Sequence, residues 1–415
     1  MTKVAVIGAG AAGLMASYAA GKGGCETVLI EKNEKAGKKI YITGKGRCNL
    51  TNACEFDVFI KNILRGDKFM YSSLRQFGPF DMMELLEGFR CRLKTERGNR
   101  VFPVTDHASD VTKSLLAAID SVGVKLLTGT EVRDVIKRNG DFILSTVSEG
   151  RKKLIHADKV VICTGGISYP VTGSDGSGYK LAQGFGHSVT ECFPSLCQVI
   201  TGEDVSGLTG ISLKNVKLSV FEPGKKRPYY SDTGEMLFTH RGISGPLVLT
   251  AEAMRAPELN KGVKFDFIID LKPGLSEEEL SERVLRDFKS SVNSDAVNAL
   301  SGLLISGVRQ EVLRRAGIPF DRKVHDITKK DRTELVRTIK NMGFTSAGTG
   351  DFNEAVVTKG GVYLKDINPK TMESKLIPGL YFAGEVLDID ALTGGFNLQI
   401  AWSTGYAAGN ACSGL

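Results

Sequence analysis

Three glycine-rich turns, and the polar residues beside them, hold the residue types from which this sequence could build chemistry. The first turn is Gly8-x-Gly10-x-x-Gly13, which follows the apolar run at residues 3–7 and opens an alanine-rich stretch ending at Lys22. A dinucleotide uses each glycine differently. Gly8 permits a tight bend, Gly10 lets the main chain approach a pyrophosphate, and Gly13 allows close packing of helix on strand. The helix start adds unpaired N–H groups for phosphate oxygens. Glu31 ends the next apolar run and is placed to accept hydrogen bonds from an adenosine ribose.

The second turn is the segment Thr43-Gly44-Lys45-Gly46-Arg47-Cys48-Asn49-Leu50-Thr51-Asn52. It closes a locally basic stretch in which Lys32, Lys35, Lys38, Lys39, Lys45 and Arg47 face a single acid, Glu34. A bound pyrophosphate explains that density better than a nucleic acid, because no aromatic residues are interleaved with it. Arg47, Asn49 and Asn52 are expected beside the dinucleotide. Cys48 belongs to the same loop, but a lone cysteine reads as packing before catalysis.

The third feature is a pair of strand ends. Thr164-Gly165-Gly166 follows the apolar run 159–163, where small residues let the chain pass close to a dinucleotide. Gly384-Glu385 follows the run 379–383, and Thr393-Gly394-Gly395 then opens a last helix through Phe396, Asn397 and Leu398. The start of such a helix carries partial positive charge, which suits the anion of a reduced flavin. Gly176-x-Gly178 reads equally as an anion cradle or a plain turn. Delivering a hydride to an alkene also needs a proton donor, and a cation where charge develops on a carbonyl oxygen. Tyr169, just past the turn at Gly165, is the candidate donor. Arg241, in His240-Arg241-Gly242-Ile243-Ser244-Gly245-Pro246, is the candidate cation.

The elements that must position these groups follow from the hydrophobic pattern. Residues 3–7 and 27–31 flank the first helix as a βαβ unit, and a helix runs from about 109 to 122. Three short strands are expected around 126–127, 132–137 and 142–147, with Asn139-Gly140 and Glu149-Gly150 in their turns as in a meander. Residues 195–272 read as β structure and 276–341 as helices, with Ser276/Glu279 and Thr328/Asp331 spaced as capping boxes. This predicts an α/β fold. Residues 1–191 and 355–415 form a Rossmann-like FAD-binding domain in three layers (ββα). A small β-barrel (192–275 and 342–354) and a helical subdomain (276–341) are inserted into it.

Composition narrows the class. Of the 415 residues, 42% are hydrophobic and 24% charged, which is ordinary for a soluble globular protein. The longest apolar runs are too short to span a bilayer, and the strand-like run from Lys3 leaves no room for a leader, so a cytoplasmic location is expected. A net charge of +7 over this length is a weak argument for nucleic acid, and neither a nucleic-acid nor a membrane partner is expected. Eight cysteines form no C-x-x-C pair and no His cluster accompanies them, so no metal site is expected. The oligomeric state is not legible.

Taken together, these motifs resemble the YhiN-like, or BaiN-type, flavoproteins of the glutathione reductase superfamily. The resemblance rests on Gly8–Gly13 with Glu31, TGKGRCNLTN (43–52), RVFP (100–103), 164–170 with 173–178, GEMLFTHRGISGP (234–246) and PKTMESKLIPGLYFAGEVLDIDALTGGFNL (369–398). It implies non-covalent FAD, with contacts near Ala12, Glu31, Lys38, Lys39 and Gly44, and near Val132, Glu385, Asn397 and Leu398. It also implies an NAD(P)/FAD-dependent oxidoreductase acting on a small molecule. Members are associated with reduction of bile-acid double bonds and with oxidation of aminoacetone. Where a longer family consensus has Gly, this chain has Ala391. No second Gly-x-Gly-x-x-Gly is present, so NAD(P)H is expected as a transient donor without a dedicated domain. Hydride transfer to an ene or carbonyl substrate, such as a 3-oxo steroid, is the leading expectation. A peroxide-forming oxidase and a non-catalytic flavin sensor are the alternatives.

Overall fold

A computed structural model describes residues 1–414 and divides them into two units, 1–195 with 352 onward, and 196–351. The first unit is organised by a five-stranded parallel sheet. Its strand order is Leu380–Phe382, Lys159–Ile162, Lys3–Ile7, Glu26–Ile30 and Lys125–Leu127. These strands are short apolar runs because helices and a second sheet cover their faces. The helix Ala11–Lys22 lies against the C-terminal helix Phe396–Ser413 at very short range. A Cβ at Gly405 would stand 2.4 Å from the Ala12 carbonyl oxygen, and one at Gly409 would stand 2.2 Å from that of Ala16. Only glycine admits that approach, so the last helix is drawn onto the first.

The meander consists of Thr130–Arg138, Asp141–Ser148 and Arg151–Ala157, while the expected piece at 126–127 pairs instead with Glu26–Ile30 in the parallel sheet. Both of its tight turns place two residues at positive φ, Asn139 (53°) with Gly140 (96°), and Glu149 (50°) with Gly150 (73°). That geometry matches the twist of the flanking strands. Phe142 and Leu144 from its middle strand join the core of this unit.

The second unit is built on a closed, antiparallel, six-stranded barrel. Around it run Val199–Thr201, Gly242–Ser244, Tyr230–Phe238, Ser212–Phe221, Asp266–Asp270 and Met342–Thr349. Helices Glu277–Ser290 and Lys329–Lys340 begin with reciprocal capping boxes. Ser276 Oγ accepts from Glu279 N (3.1 Å) while Glu279 Oε2 accepts from Ser276 N (2.8 Å), and Thr328 and Asp331 repeat the pattern. Leu280, Val284, Leu335 and Ile339 share one core with Phe238, Phe267 and Phe344 of the barrel. The helices at 276–341 are therefore part of the barrel unit and not a separate subdomain. The division also falls at 195 and 352 instead of 192 and 355, because Phe193–Ser195 pairs antiparallel with Val357–Lys359 inside the first unit.

Candidate functional site

The first glycine turn behaves as three distinct positions. Gly8 has φ +98°, and a Cβ there would stand 2.6 Å from the Cys163 carbonyl oxygen. A Cβ at Gly13 would stand 1.8 Å from the Gly8 oxygen, so this glycine is required by packing. A Cβ at Gly10 would meet nothing within 4 Å. The bare backbone at Gly10 thus faces open space at a helix start, as a pyrophosphate cradle requires. Glu31 is buried at the end of its strand. Its Oε2 accepts from Ala9 N (2.8 Å), and its Oε1 accepts from Asn33 N (2.8 Å) and Asn33 Nδ2 (2.7 Å). The acid therefore holds the turn together through its own hydrogen bonds.

The basic stretch is only partly free for phosphates. Lys32 pairs with Asp175 at 2.6 Å, and Lys38 reaches Glu34 at 3.5 Å and Asn33 Oδ1 at 3.3 Å. Arg47 pairs with Glu96 and Asp106 and stacks 4.2 Å over the Phe102 ring. Its guanidinium is engaged by carboxylates, which the local sequence hid because both acids lie more than 45 residues away. Thr43 Oγ1 donates to the Ile40 carbonyl (2.7 Å), and Gly44 bends at φ +58°. Cys48 is fully buried, and burial pushes its thiol up to about 12, so it is a packing residue.

Beyond the C-terminal ends of strands Lys159–Ile162 and Leu380–Phe382 the structure gathers groups distant in sequence. Lys39 Nζ donates to Ser168 Oγ (2.7 Å) and to Glu385 Oε2 (2.8 Å). Glu385 Oε1 accepts from Ser168 Oγ (2.6 Å) and Thr358 N (2.8 Å). Burial alone would raise the Glu385 carboxyl, but the Lys39 ammonium and these hydrogen bonds hold it below the usual carboxylate range. Tyr169, next along the chain, has φ +50°, and its N–H donates to the Phe352 carbonyl (2.8 Å). A tyrosine held in the left-handed region is strained backbone, of the kind that collects at functional sites. Thr164 has a buried hydroxyl without a partner, and Gly165 beside it has φ +74°. Gly178 packs onto Thr164, since a Cβ there would stand 1.9 Å from Thr164 Oγ1. This favours the packing reading of 176–178. Val132 is buried in the meander, and Gly384, at φ +79°, packs on Ala12.

The last helix starts where the second loop ends. Gly395 has φ +98°, and a Cβ there would stand 2.4 Å from the Thr51 carbonyl. Oriented to satisfy both ends, the Asn49 amide donates to the Thr51 oxygen and accepts from Gly395 N, each at 3.1 Å. The Asn397 side chain latches the preceding strand, accepting from Ala391 N (2.9 Å) and donating to its carbonyl (2.8 Å). Phe396 is buried against Phe59, and Leu398 is half-buried. An open glycine at a helix start, a buried orphan hydroxyl and a second glycine-lined helix start together fit a dinucleotide carrying a flavin.

Arg241 lies in the other unit, exposed on the turn that leads into Gly242–Ser244, and Pro246 is the first residue of helix Pro246–Met254. Sequence reading missed the Lys359–Asp390 ion pair (2.9 Å, both buried) and Arg65–Asp388 (2.6 Å). Burial raises both aspartates against the pull of Lys359 and Arg65. The signal available was two acids, Asp388 and Asp390, inside an otherwise apolar run.

Residues 2–411 match the family described as the HI0933-like protein Rossmann domain. The chain is 29% identical to the 3-dehydro-bile acid delta(4,6)-reductase of Clostridium scindens, over 100% of this chain and 99% of that protein. It is 32% identical to the ribosomal RNA dihydrouridine synthase of Haemophilus influenzae, over 97% and 96%, and 30% identical to that of Escherichia coli, also over 97% and 96%. Among solved structures, a flavocytochrome c3 fumarate reductase matches with TM-score 0.54 at 19% identity, over 100% of this chain and 78% of that one. The 3-ketosteroid delta1-dehydrogenase of Sterolibacterium denitrificans matches with TM-score 0.54 at 13% identity, over the whole of both chains.

Proposed function

As a member of the HI0933-like family, this chain is an FAD-dependent oxidoreductase, and we propose that it saturates a carbon–carbon double bond conjugated to a carbonyl group. The observation that supports this reading is that full-length relatives carry names of one reaction type. One is a delta(4,6)-reductase, and two make dihydrouridine, which is uridine with its conjugated 5,6 double bond saturated.

FAD, when bound, supplies the hydride, and NADH or NADPH is the proposed source of its electrons. The protein's own groups do the rest. The Gly10 backbone and the first helix start would hold the pyrophosphate, and Glu31 would hold the ribose. Lys39, Ser168 and Glu385 form a polar bracket, and the start of helix Phe396–Ser413 offers N–H groups to developing negative charge. Tyr169 is the proposed proton donor. Arg241 is the proposed cation that takes up charge on the substrate's carbonyl oxygen.

Two substrate classes fit that chemistry, a small 3-oxo dienone and a uracil base within RNA. The second reading is favoured by the two dihydrouridine synthase relatives, and it reverses the expectation that nucleic acid is no partner. The test is anaerobic. The flavoprotein is bleached with NADH or NADPH and then mixed with a 4,6-dien-3-one, with a uridine-containing RNA, or with oxygen. Reoxidation with stoichiometric saturated product supports the proposal. Rapid reoxidation by oxygen alone, with peroxide formed and no alkene reduced, rejects it in favour of an oxidase.

A further inference from the structure

The hairpin formed by Leu93–Glu96 and Arg100–Pro103 has an unbalanced surface. Residues 90–106 hold five basic side chains and two acids. Both acids are already neutralised, since Glu96 and Asp106 each pair with Arg47 and with Lys94. Arg90, Arg92, Arg97 and Arg100 remain, all exposed and none in an ion pair among the described residues. The tip is shaped, since Arg100 Nε donates to the Arg97 carbonyl at 3.0 Å. It is also fastened to the candidate site. Thr51–Asn52 pairs with Arg100–Val101, and Asn52 Nδ2 donates at 3.0 Å both to Gly98 O at the tip and to Gly394 O at the start of the last helix.

We propose that this hairpin binds the phosphate backbone of single-stranded RNA beside the Gly394–Gly395 turn. The inference rests on the second substrate reading above. Arginine forks match phosphate oxygens two at a time. The two arginine pairs flank a four-residue strand, so Arg92 and Arg97 lie about 17 Å apart at 3.3 Å per residue. A polymer of phosphates fills such a span, and a small molecule with one carboxylate does not. Asn52 gives the geometry a purpose, because it makes the arginine tip and the glycine turn a single fixture. The alternative role for such arginines is to keep an exposed strand from pairing with other chains.

The test uses the FAD-loaded protein and a short, labelled, single-stranded RNA containing uridine, with binding followed by anisotropy between about 50 and 200 mM salt. The expected result for Arg97→Gln/Arg100→Gln is an affinity at least about tenfold weaker. The slope of log affinity against log salt falls by about 1.4, at about 0.7 per lost phosphate contact. FAD content and thermal midpoint stay unchanged. If the wild type binds RNA and the variant binds equally well with the same slope, the surface is elsewhere, and the proposal is overturned while the RNA reading stands. If the wild type binds no RNA but reduces the dienone, the RNA reading itself falls and takes this surface with it.

Discussion

Lys359 Nζ stands 2.9 Å from Asp390 Oδ2, and both side chains are buried inside the first unit. The pair joins two parts of the candidate site. Lys359 follows Thr358, whose N–H and hydroxyl hold Glu385 and the 167–168 backbone. Asp390 precedes Ala391, the residue latched by Asn397. Removing one member of a buried pair leaves the other charge without that counter-charge, and this costs about 3–5 kcal/mol. Asp390→Ala is expected to lose that much in urea denaturation. Lys359→Met/Asp390→Leu is expected to recover most of it, because burying neither charge avoids the desolvation of both. A double variant as unstable as the single one would show that the pair is not the cause.

Gly10 and Gly13 are expected to separate cofactor binding from folding. Gly10 has φ −80°, and a Cβ there meets nothing within 4 Å. Gly10→Ala should therefore leave the thermal midpoint of the apoprotein unchanged and weaken FAD binding measured by flavin fluorescence. Gly13→Ala must displace the Gly8 carbonyl and is expected to lose more than about 2 kcal/mol of stability. Equal FAD affinity in Gly10→Ala and wild type would remove the pyrophosphate from this turn.

Glu31→Ala should do both kinds of damage. It removes the ribose acceptor, and it also leaves the buried Ala9 N–H without its partner. An orphaned buried donor costs about 1–3 kcal/mol. Glu31→Gln keeps an acceptor for Ala9 but turns its amide NH2 towards the two Asn33 donors, so it is expected to recover only part of the stability while still weakening FAD binding. Release of a flavin lacking the adenosine half from the wild type would refute the role altogether.

His187 gives a pH signature. Its Nε2 lies 2.8 Å from Ser374 Oγ, its Nδ1 has no partner, and burial lowers its pKa. The folded protein thus binds this proton less readily than the unfolded chain. The stabilising contribution is complete above the unfolded value of about 6.5 and is lost as pH falls below it towards the folded value. Denaturation midpoints should decline from pH 7 to 5, and His187→Gln should flatten that segment of the curve. An unchanged slope in the variant would assign the decline to other groups.

The proposed chemistry is tested in single turnover with FAD bound and already reduced. Tyr169→Phe removes the phenolic proton, and Arg241→Met removes the cation. Each is expected to slow reoxidation by substrate by about 10²-fold or more, the usual range for a lost general acid or charge-stabilising donor. If both react at the wild-type rate, the proton comes from water and neither side chain carries the reaction.

What the sequence determined by itself was local. Short-range spacing specified the glycine turn with its acid, both capping boxes and the two meander turns, because a bend, a helix start or a left-handed residue is decided by side chains a few positions apart. Tertiary structure decided everything that needed long-range neighbours. It gave Arg47 its carboxylate partners, Glu96 and Asp106. It gave Glu31 internal partners, and it placed Lys39 against Ser168 and Glu385. It merged the helices at 276–341 with the barrel, because amphipathic faces specify that something must be covered without naming the partner. It also created the Lys359–Asp390 pair, since a charge can stand inside an apolar run only where folding brings its counter-charge within a few ångströms.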